Sequence, residues 1–428
     1  HQKWGVKKWD DDVNPAIVLA RDGFRILPKS REFFAEQEKK LRRGDPEIAR
    51  LYLPGGKLPA VGSLLPNADL ARTLELVARH GRDGFYRGPV ANAIVAASRA
   101  GGGALTLNDL TNYEARITEP IEMEFRDSVL VCAPPPASGA ALFLPIMKAL
   151  EKETFGGGAL RTAANLDRIG RVWRVVQSQV ARTIGDTPES RFLFEKLIAP
   201  DSIDEIRAKA FATEKQRKVA AANFEEMPLY YESEMAATSH FIVVDSQGNI
   251  VCATQSQSLH FGAGVVPPGT GVVLNDSMGN FVFSDPKNIN FIAPGKRSRS
   301  TIAPTIVLHD GKPDLAIGIP GASRIPTALL QALLDRLALK RSLAEAIGDT
   351  RVHFVSSSRR EPGEAFEAEQ SFPHAASKAL QEMGWKVNLP EPAGTGKYFG
   401  GINAVEFNVD GTLTGYADPR RTNVAGGY

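Results

Sequence analysis

Apolar positions recur along this chain with two different periods, and the change from one to the other divides it. In the first half the helical spacing dominates. DLARTLELVARH puts Leu70, Leu74 and Val77 on one face, with Asn67 as an N-cap ahead of it and Gly81 as a stop behind it. GPVANAIVAASRAGGG reads as a second short helix ended by glycines. Thr106, Leu107, Asn108 and Asp109 have capping-box spacing, with Asp in place of the stronger Glu. SVLVCAPPPASGAALFLPIMKALEKE predicts a strand, a proline stop and a helix entered through small residues. Residues 161–223 are predicted helical, with a break at GDTPES (185–190).

After Thr238 the period shortens. Apolar runs of four to six residues follow one another: FIVVD, NIVCAT, TGVVLN, PTIVLHD, LAIGIP, and later GINAVEF and LTGYAD. DSQGN, HDGKP and NVDGT are turn signals between them. Two helices, PTALLQALLDRLAL and HAASKALQEMGW, come late. Helices first, strands in the centre and further helices at the end predict an α+β fold of sheets covered by helices, a layered sandwich.

One hairpin stands out. In MAATSHFIVVDSQGNIVCATQSQS (235–258), Gly248 suits the left-handed position of a three-residue loop that pairs Asp245 with Asn249. Counting back along that ladder puts Thr238 opposite Ser256, with Thr254, Ser256 and Ser258 on the face that Thr238 shares. A two-residue turn would shift the register by one and bring Gln257 opposite instead. Hydroxyl pairs across strands are ordinary sheet stabilisers. They also suit an amide hydrolase whose threonine hydroxyl is the nucleophile and whose own α-amine is the base. A free α-amine titrates at roughly 7.7 to 8.0, suitable for a base near neutral pH. The amine is free only if the chain is cut just before Thr238, and the small residues Ala236 and Ala237 let the backbone bend there.

Composition narrows the alternatives. With 428 residues, 43% hydrophobic and 23% charged, the chain can bury a large core. A formal charge of +2 gives no electrostatic case for nucleic acid or an anionic membrane surface, and no apolar run is long enough for a transmembrane helix. Cys132 and Cys252, both in strand-like text, exclude a disulfide framework and a cysteine-rich zinc site but leave one bond between them open. The seven histidines lack metal-ligand spacing. His240 shares the face of Thr238 and reads as a packed side chain. A triad from Ser239, His240 and Asp245 fails because neighbouring strand residues point to opposite faces. FGAGVVPPGTG reads as turns around a strand and not as a nucleotide loop. HQKWGVKKWDDD, at the start, has neither an initiator Met nor a signal-peptide pattern and reads as the middle of a longer protein.

Longer stretches carry a resemblance. ATSHFIVVDSQGNIVCATQSQSLHFGAGVVPPGTGVVLNDSMGNF, GKRSRSTIAPTIVLHDGKP, IGIPGASRI and the closing GYADPRR and AGGY resemble the small subunit of the γ-glutamyltranspeptidase family. NADLARTLELVARHGRDGFYRGPVANAIV, LTLNDLTNYEARITEPI and APPPASGAA resemble its large subunit. The resemblance implies the four-layer αββα sandwich of the N-terminal-nucleophile hydrolases, made as a proenzyme that cleaves itself. A cut between Ala237 and Thr238 would divide the chain into a partial large-subunit region, 1–237, and a small subunit of 191 residues, 238–428, the two remaining partners in one αββα unit. The front piece is shorter than the family's large subunit. The part absent would include a glycine-rich segment and the arginine that binds the substrate's α-carboxylate. Family members are often exported to the periplasm or outside the cell.

The resemblance also implies roles. Thr238 matches the nucleophile and Ser256 the hydroxyl that assists it. Gly321 and Ala322 match the glycine pair of the oxyanion hole, whose backbone N–H groups an alanine also supplies. Ser300 and Thr301 match the serine pair at the substrate carboxylate, and Asn275 a structural asparagine. No metal or organic cofactor is implied. Two positions depart from the pattern: Ser258 replaces an asparagine that contacts the α-carboxylate, and MGNF replaces MDDF. Asn280 therefore stands where an aspartate takes the substrate's α-amino group, and Gly279 where another aspartate precedes it. Lys296, Arg297, Ser298 and Arg299, just ahead of the carboxylate pair, read equally as a guide for anionic substrates or as a solvated loop. Arg324 either orients the oxyanion loop or pairs locally. The expected activity is amide hydrolysis or acyl transfer on γ-glutamyl compounds such as glutathione. The alternatives are a glutaryl- or cephalosporin-type acylase, favoured by the neutral Asn280, and an uncleaved, inactive binding or structural member.

Overall fold

The computed structural model describes residues 1–212, 236–355, 365–390 and 396–427. The chain forms two compact units. The first comprises residues 1–117 and 257–276, and the second comprises 118–256 and 277–428.

In the first unit, the helix Ala68–His80 begins where the Asn67 side chain accepts from the backbone N–H of Leu70 at 3.0 Å, and ends at Gly81 with φ 56°. It packs on the helix Trp9–Asp22 through Val13, Ile17, Ala71 and Leu74. The Thr106–Asp109 capping box is formed in both directions. Strands β1 (Phe24–Arg25) and β2 (Leu64–Leu65) make a small antiparallel pair. The predicted strand TGVVLN is not a strand. Leu274 N–H donates to Val265 and Ala263 N–H to Leu274, so its backbone pairs with an irregular turn instead of a ladder. Val266 and Val273 bury against Ile26, Phe34, Leu41 and Ile48. The run is apolar because it packs under helices. The glycines around it are turns, as read, with φ of 49° at Gly262 and 66° at Gly271.

The second unit carries the large sheet. Its strands are β3 (Ile121–Phe125), β4 (Ser128–Cys132), β5 (Ala236–Val244), β6 (Ile250–Leu259, its end passing into the first unit), β7 (Thr305–His309) and β8 (Lys312–Gly318). Beyond them lie β9 (Val352–Val355), β10 (Ala365–Ala368), β11 (Lys386–Asn388), β12 (Asn403–Phe407) and β13 (Leu413–Ala417). Six of them form one antiparallel sheet in the order β13-β12-β8-β7-β4-β3. Leu130, Val307 and Leu315 share its core with three helices, Gly139–Ala149, Ala163–Thr183 and Arg324–Leu333. The middle one is amphipathic: Leu166, Ile169, Val172, Trp173, Val176 and Val180 recur at helical spacing and are all buried. The other two are apolar on nearly every side and lie deep in the core. The β9–β10–β11 sheet, absent from the sequence reading, consists of strands of three or four residues, too short for alternation to show.

The helical stretch predicted for 161–223 is three helices, Ala163–Thr183, Glu189–Leu197 and Pro200–Ala210. The GDTPES break is present, and Pro200 makes a second by starting a new helix at its first position. Residues 213–223 of that prediction lie outside the described residues. Both thiols are free. Cys132 sits in the helix-side core, and Cys252 reaches from β6 to the carbonyls of Thr305 and Ile317.

Strands β5 and β6 form a separate two-stranded sheet, and β5 lies against β8 and β12. The His240 ring rests on Gly318. A Cβ there would fall 2.2 Å from the ring's Cε1, closer than any real contact. Gly318→Ala is expected to destabilise the protein by about 2 kcal/mol or more, through overpacking between the sheets, as measured by urea unfolding.

Candidate active site

The DSQGN turn sets the register of β5 and β6. Asp245 N–H donates to the Asn249 carbonyl at 3.1 Å, and Gly248 N–H to the Asp245 carbonyl at 3.1 Å, with Gly248 at φ 84°. The Asp245 carboxylate accepts from Gln247 N–H, Asn249 N–H and the Asn249 side chain, which hold it below its ordinary pKa. The ladder then runs as the three-residue turn predicts. His240 Nδ1 lies 2.8 Å from Thr254 Oγ1, and Thr238 Oγ1 lies 3.0 Å from Ser256 Oγ.

Thr238 is buried, 9% exposed, and Ser256 lies open beside it. Ser256 Oγ also donates to the backbone carbonyl of Ala237 at 3.2 Å. One hydroxyl thus touches both the Thr238 hydroxyl and the carbonyl of the peptide bond that precedes it.

Gly321 and Ala322 lie between β8 and the helix Arg324–Leu333. Their carbonyls accept from Arg324 and Ile325 N–H. The helix start adds partial positive charge beside them. Ala322 has φ 51°, the left-handed region that favours glycine, and keeps it although it carries a Cβ. Thr301 Oγ1 donates to the Ala322 carbonyl at 2.9 Å. Ser300 is held by its backbone: its carbonyl accepts from Ser138 N–H and Oγ, and its N–H donates to the Pro136 carbonyl. Gly139 must be glycine, since a Cβ would lie 2.3 Å from the Thr301 carbonyl. The APPPASGAA segment is the bracket for the Ser300–Thr301 pair.

The structure therefore joins Thr238 to Ser256, and Thr301 to Ala322. His240 ties the two pairs together, because it follows Thr238 by two residues and packs on Gly318, three residues before Gly321. Asn280 closes a short turn, Ser277–Asn280. Its carbonyl accepts from Asn290 Nδ2 at 2.7 Å, while Asn290 Oδ1 accepts from Arg299 N–H at 3.0 Å. Ser258, with φ 68°, falls in the first unit and is not among the residues joined here.

In the basic run before Ser300, Lys296 and Arg299 are neither of the things the sequence suggested. Arg299 is buried and points its guanidinium at the carbonyls of Val180, Ala181 and Ile184, which end the helix Ala163–Thr183. Lys296 Nζ donates to the carbonyls of Ile289 and Phe291, and Arg297 N–H to Asp186. These are braces satisfying buried acceptors. Arg324 is 2% exposed, paired with Glu367 at 3.0 Å and with its guanidinium over the Tyr398 ring, so it serves local packing. Sequence reasoning missed Asn290. Its only signal was a polar residue between Ile289 and Phe291. Among the described residues no group of three His, Cys, Asp or Glu side chains could hold a metal ion, and no helix is long and apolar enough to cross a membrane.

With the geometry in place, comparison defines the class first. The chain superposes on the crystal structure of cephalosporin acylase from Bacillus halodurans with a TM-score of 0.82, at 23% identity, over 98% of this chain and 74% of that one. Its fold is the α+β fold of the N-terminal-nucleophile hydrolases. The Gamma-glutamyltranspeptidase family model matches residues 1–428, and the chain belongs to that family. It is 32% identical over 416 residues to the Acylase ACY 1 proenzyme of Pseudomonas sp. (strain SE83), covering 97% of this chain and 70% of the relative. It is 28% identical over 436 residues to the glutathione hydrolase proenzyme of Bacillus subtilis (strain 168), covering 99% and 72%.

His240 gives the site a pH signature. Burial lowers its pKa to about 4, against an ordinary 6.5, and burial likewise raises Cys252, whose thiol lies 3.9 Å from the ring, to about 11. The unfolded chain binds the proton more readily than the folded one. Stability is therefore full above about pH 6.5, falls as pH drops from there to about 4, and levels off below, a loss of roughly 3 kcal/mol at most. Unfolding curves for wild type and His240→Gln between pH 7 and 4 check this: the variant should lack that part of the slope.

Proposed function

We propose that this chain is a self-maturing amide hydrolase and acyltransferase whose nucleophile is Thr238 and whose acyl donors are γ-glutamyl compounds such as glutathione. The carrying observation is the contact of Ser256 Oγ with both Thr238 Oγ1 and the Ala237 carbonyl. In maturation the Thr238 oxygen attacks the Ala237 carbonyl carbon. A C–O bond forms, the C–N bond breaks, and the hydroxyl proton ends on the Thr238 nitrogen. Ser256 polarises the carbonyl as negative charge develops on it. Water then cleaves the ester, leaving an Ala237 carboxylate and Thr238 with a free hydroxyl and α-amine.

In turnover that amine takes the Thr238 proton as the oxygen attacks the substrate amide, and returns it to the departing amine. The N–H groups of Gly321 and Ala322 stabilise the oxyanion. Water or an acceptor amine then resolves the acyl-enzyme. Ser300, Thr301 and Asn280 hold the donor. The cut chains, 1–237 and 238–428, stay together. That is supported by residues 257–276, which are built into the same compact unit as residues 1–117.

Intact-mass measurement tests the nucleophile. Wild type should yield a chain beginning at Thr238, and Thr238→Ala should stay whole. Ser256→Ala should cut about 10²-fold more slowly, as loss of an oxyanion donor does. A single uncut wild-type chain would sink the enzyme reading in favour of an inactive binding or structural member.

A second reading, an acylase for glutaryl-like donors without an α-amine, is favoured by the uncharged Asn280 and by the likeness to a relative named as an acylase. A hydrogen bond to a charged partner contributes roughly 1 to 1.5 kcal/mol more than a neutral one, near one decade of binding. Asn280→Asp should therefore shift the ratio of kcat/KM for γ-glutamyl over glutaryl anilide upward by about tenfold. An unchanged ratio would remove Asn280 from the α-amino site.

A further inference from the structure

Strand β5 is gripped by two facing residues of the six-stranded sheet. Asn403, the first residue of β12, pairs across the ladder with Gly318 of β8. Gly318 is the floor under the His240 ring. Asn403 Nδ2 donates to the His240 carbonyl at 2.7 Å. The ring and the backbone of one residue are thus held by neighbours on two adjacent strands. Among the described residues Asn403 Oδ1 is buried and has no hydrogen-bond partner. A buried acceptor left unpaired is destabilising, and an apolar residue of the same shape would avoid it. What the position gains from asparagine is the donor to His240.

We propose that Asn403 is a positioning residue for Thr238, so that self-cleavage waits until strand β12 has docked. This rests on the reading of Thr238 as the nucleophile. Among the described residues β5 has a ladder partner only in β6, so its distance from the large sheet is set by side-chain contacts. His240 is two residues from Thr238, and on a strand that is the next side chain on the same face. The attack on the Ala237 carbonyl needs the reacting atoms about 3–3.5 Å apart, and a displacement of about 1 Å costs on the order of 10²-fold in rate. A chain whose β12 has not yet folded lacks the Asn403 bond and would hold Thr238 too loosely to cut.

The test uses the full chain with Asn403→Leu, which removes the donor and the unpaired acceptor together, and Asn403→Asp, which keeps the shape without the donor. Three quantities are read: the rate at which a chain beginning at Thr238 appears after cell-free synthesis, amide exchange across residues 238–241, and the unfolding midpoint. Both variants should cut at least about tenfold more slowly. Exchange should quicken in β5 and stay unchanged in β7 and β8, and the Leu variant should unfold within a few degrees of wild type. Cutting at the wild-type rate, or unchanged protection of β5, would overturn the proposal. So would a slowing that only tracks a general loss of protection in β7 and β8, since that would mark Asn403 as merely structural. If wild type itself is not cut at Thr238, the nucleophile reading falls and this one with it. Faster exchange at 238–241 in the variants would then preserve only the clamp on β5.

Discussion

The register of one hairpin governs the rest of the site. Side chains alternate between the faces of a strand, so a slip by one residue would turn Thr238 away from Ser256 and His240 away from Gly318. The turn that prevents the slip is short and over-determined. Asp245 accepts three hydrogen bonds from the residues that follow it, and Gly248 takes a backbone conformation that most residues resist. The consequences appear seven residues back along β5, where the hydroxyls of Thr238 and Ser256 meet at 3.0 Å.

Around that hairpin the segments bearing the other candidate residues have little regular structure, and buried polar side chains do the work a ladder would do. Ser138 holds Ser300, Thr301 holds Ala322, and Asn290 joins Asn280 to the residue before Ser300. Arg299 ends the long helix and fixes the same segment from below. Each satisfies backbone groups that burial has removed from water, so each is a structural necessity before it is anything else. That is why Lys296 and Arg299, in a run that looked fit for anionic ligands, are spent on carbonyls.

The uncut chain and the mature enzyme of the proposal ask the same atoms for two attacks. In the first, the acyl group is the chain's own Ala237 carbonyl, already in contact with Ser256. In the second it belongs to a substrate, and the N–H groups of Gly321 and Ala322 take over the developing charge. Ala322 holds a left-handed conformation despite its methyl group, which only a tightly packed loop can enforce. On the proposed reading, the neutral Asn280 leaves the donor pocket without the charge that an α-amino group would seek.

Much of the fold was legible from spacing. The amphipathic helices, the caps at Asn67 and Thr106, the DSQGN hairpin and the strands β4, β7, β8, β12 and β13 of the large sheet follow from local periods and turn chemistry, which need only neighbouring residues. The pairing of Thr238 with Ser256 was legible for the same reason, since a turn and a period of two are enough to derive it. Four things were not. TGVVLN has a strand's composition but buries itself under helices, and β9 to β11 are too short to show alternation. Lys296 donates to carbonyls five and seven residues back and Arg299 to carbonyls 115 to 119 residues back, and neither partnership shows in the run's own charges. Asn403 lies 163 residues from His240, and nothing in its own surroundings announces the bond. Composition and local period thus determined which elements form and which hydroxyls face each other. Only tertiary structure decided which distant backbone groups lose their water, and therefore which polar side chains are committed to satisfying them.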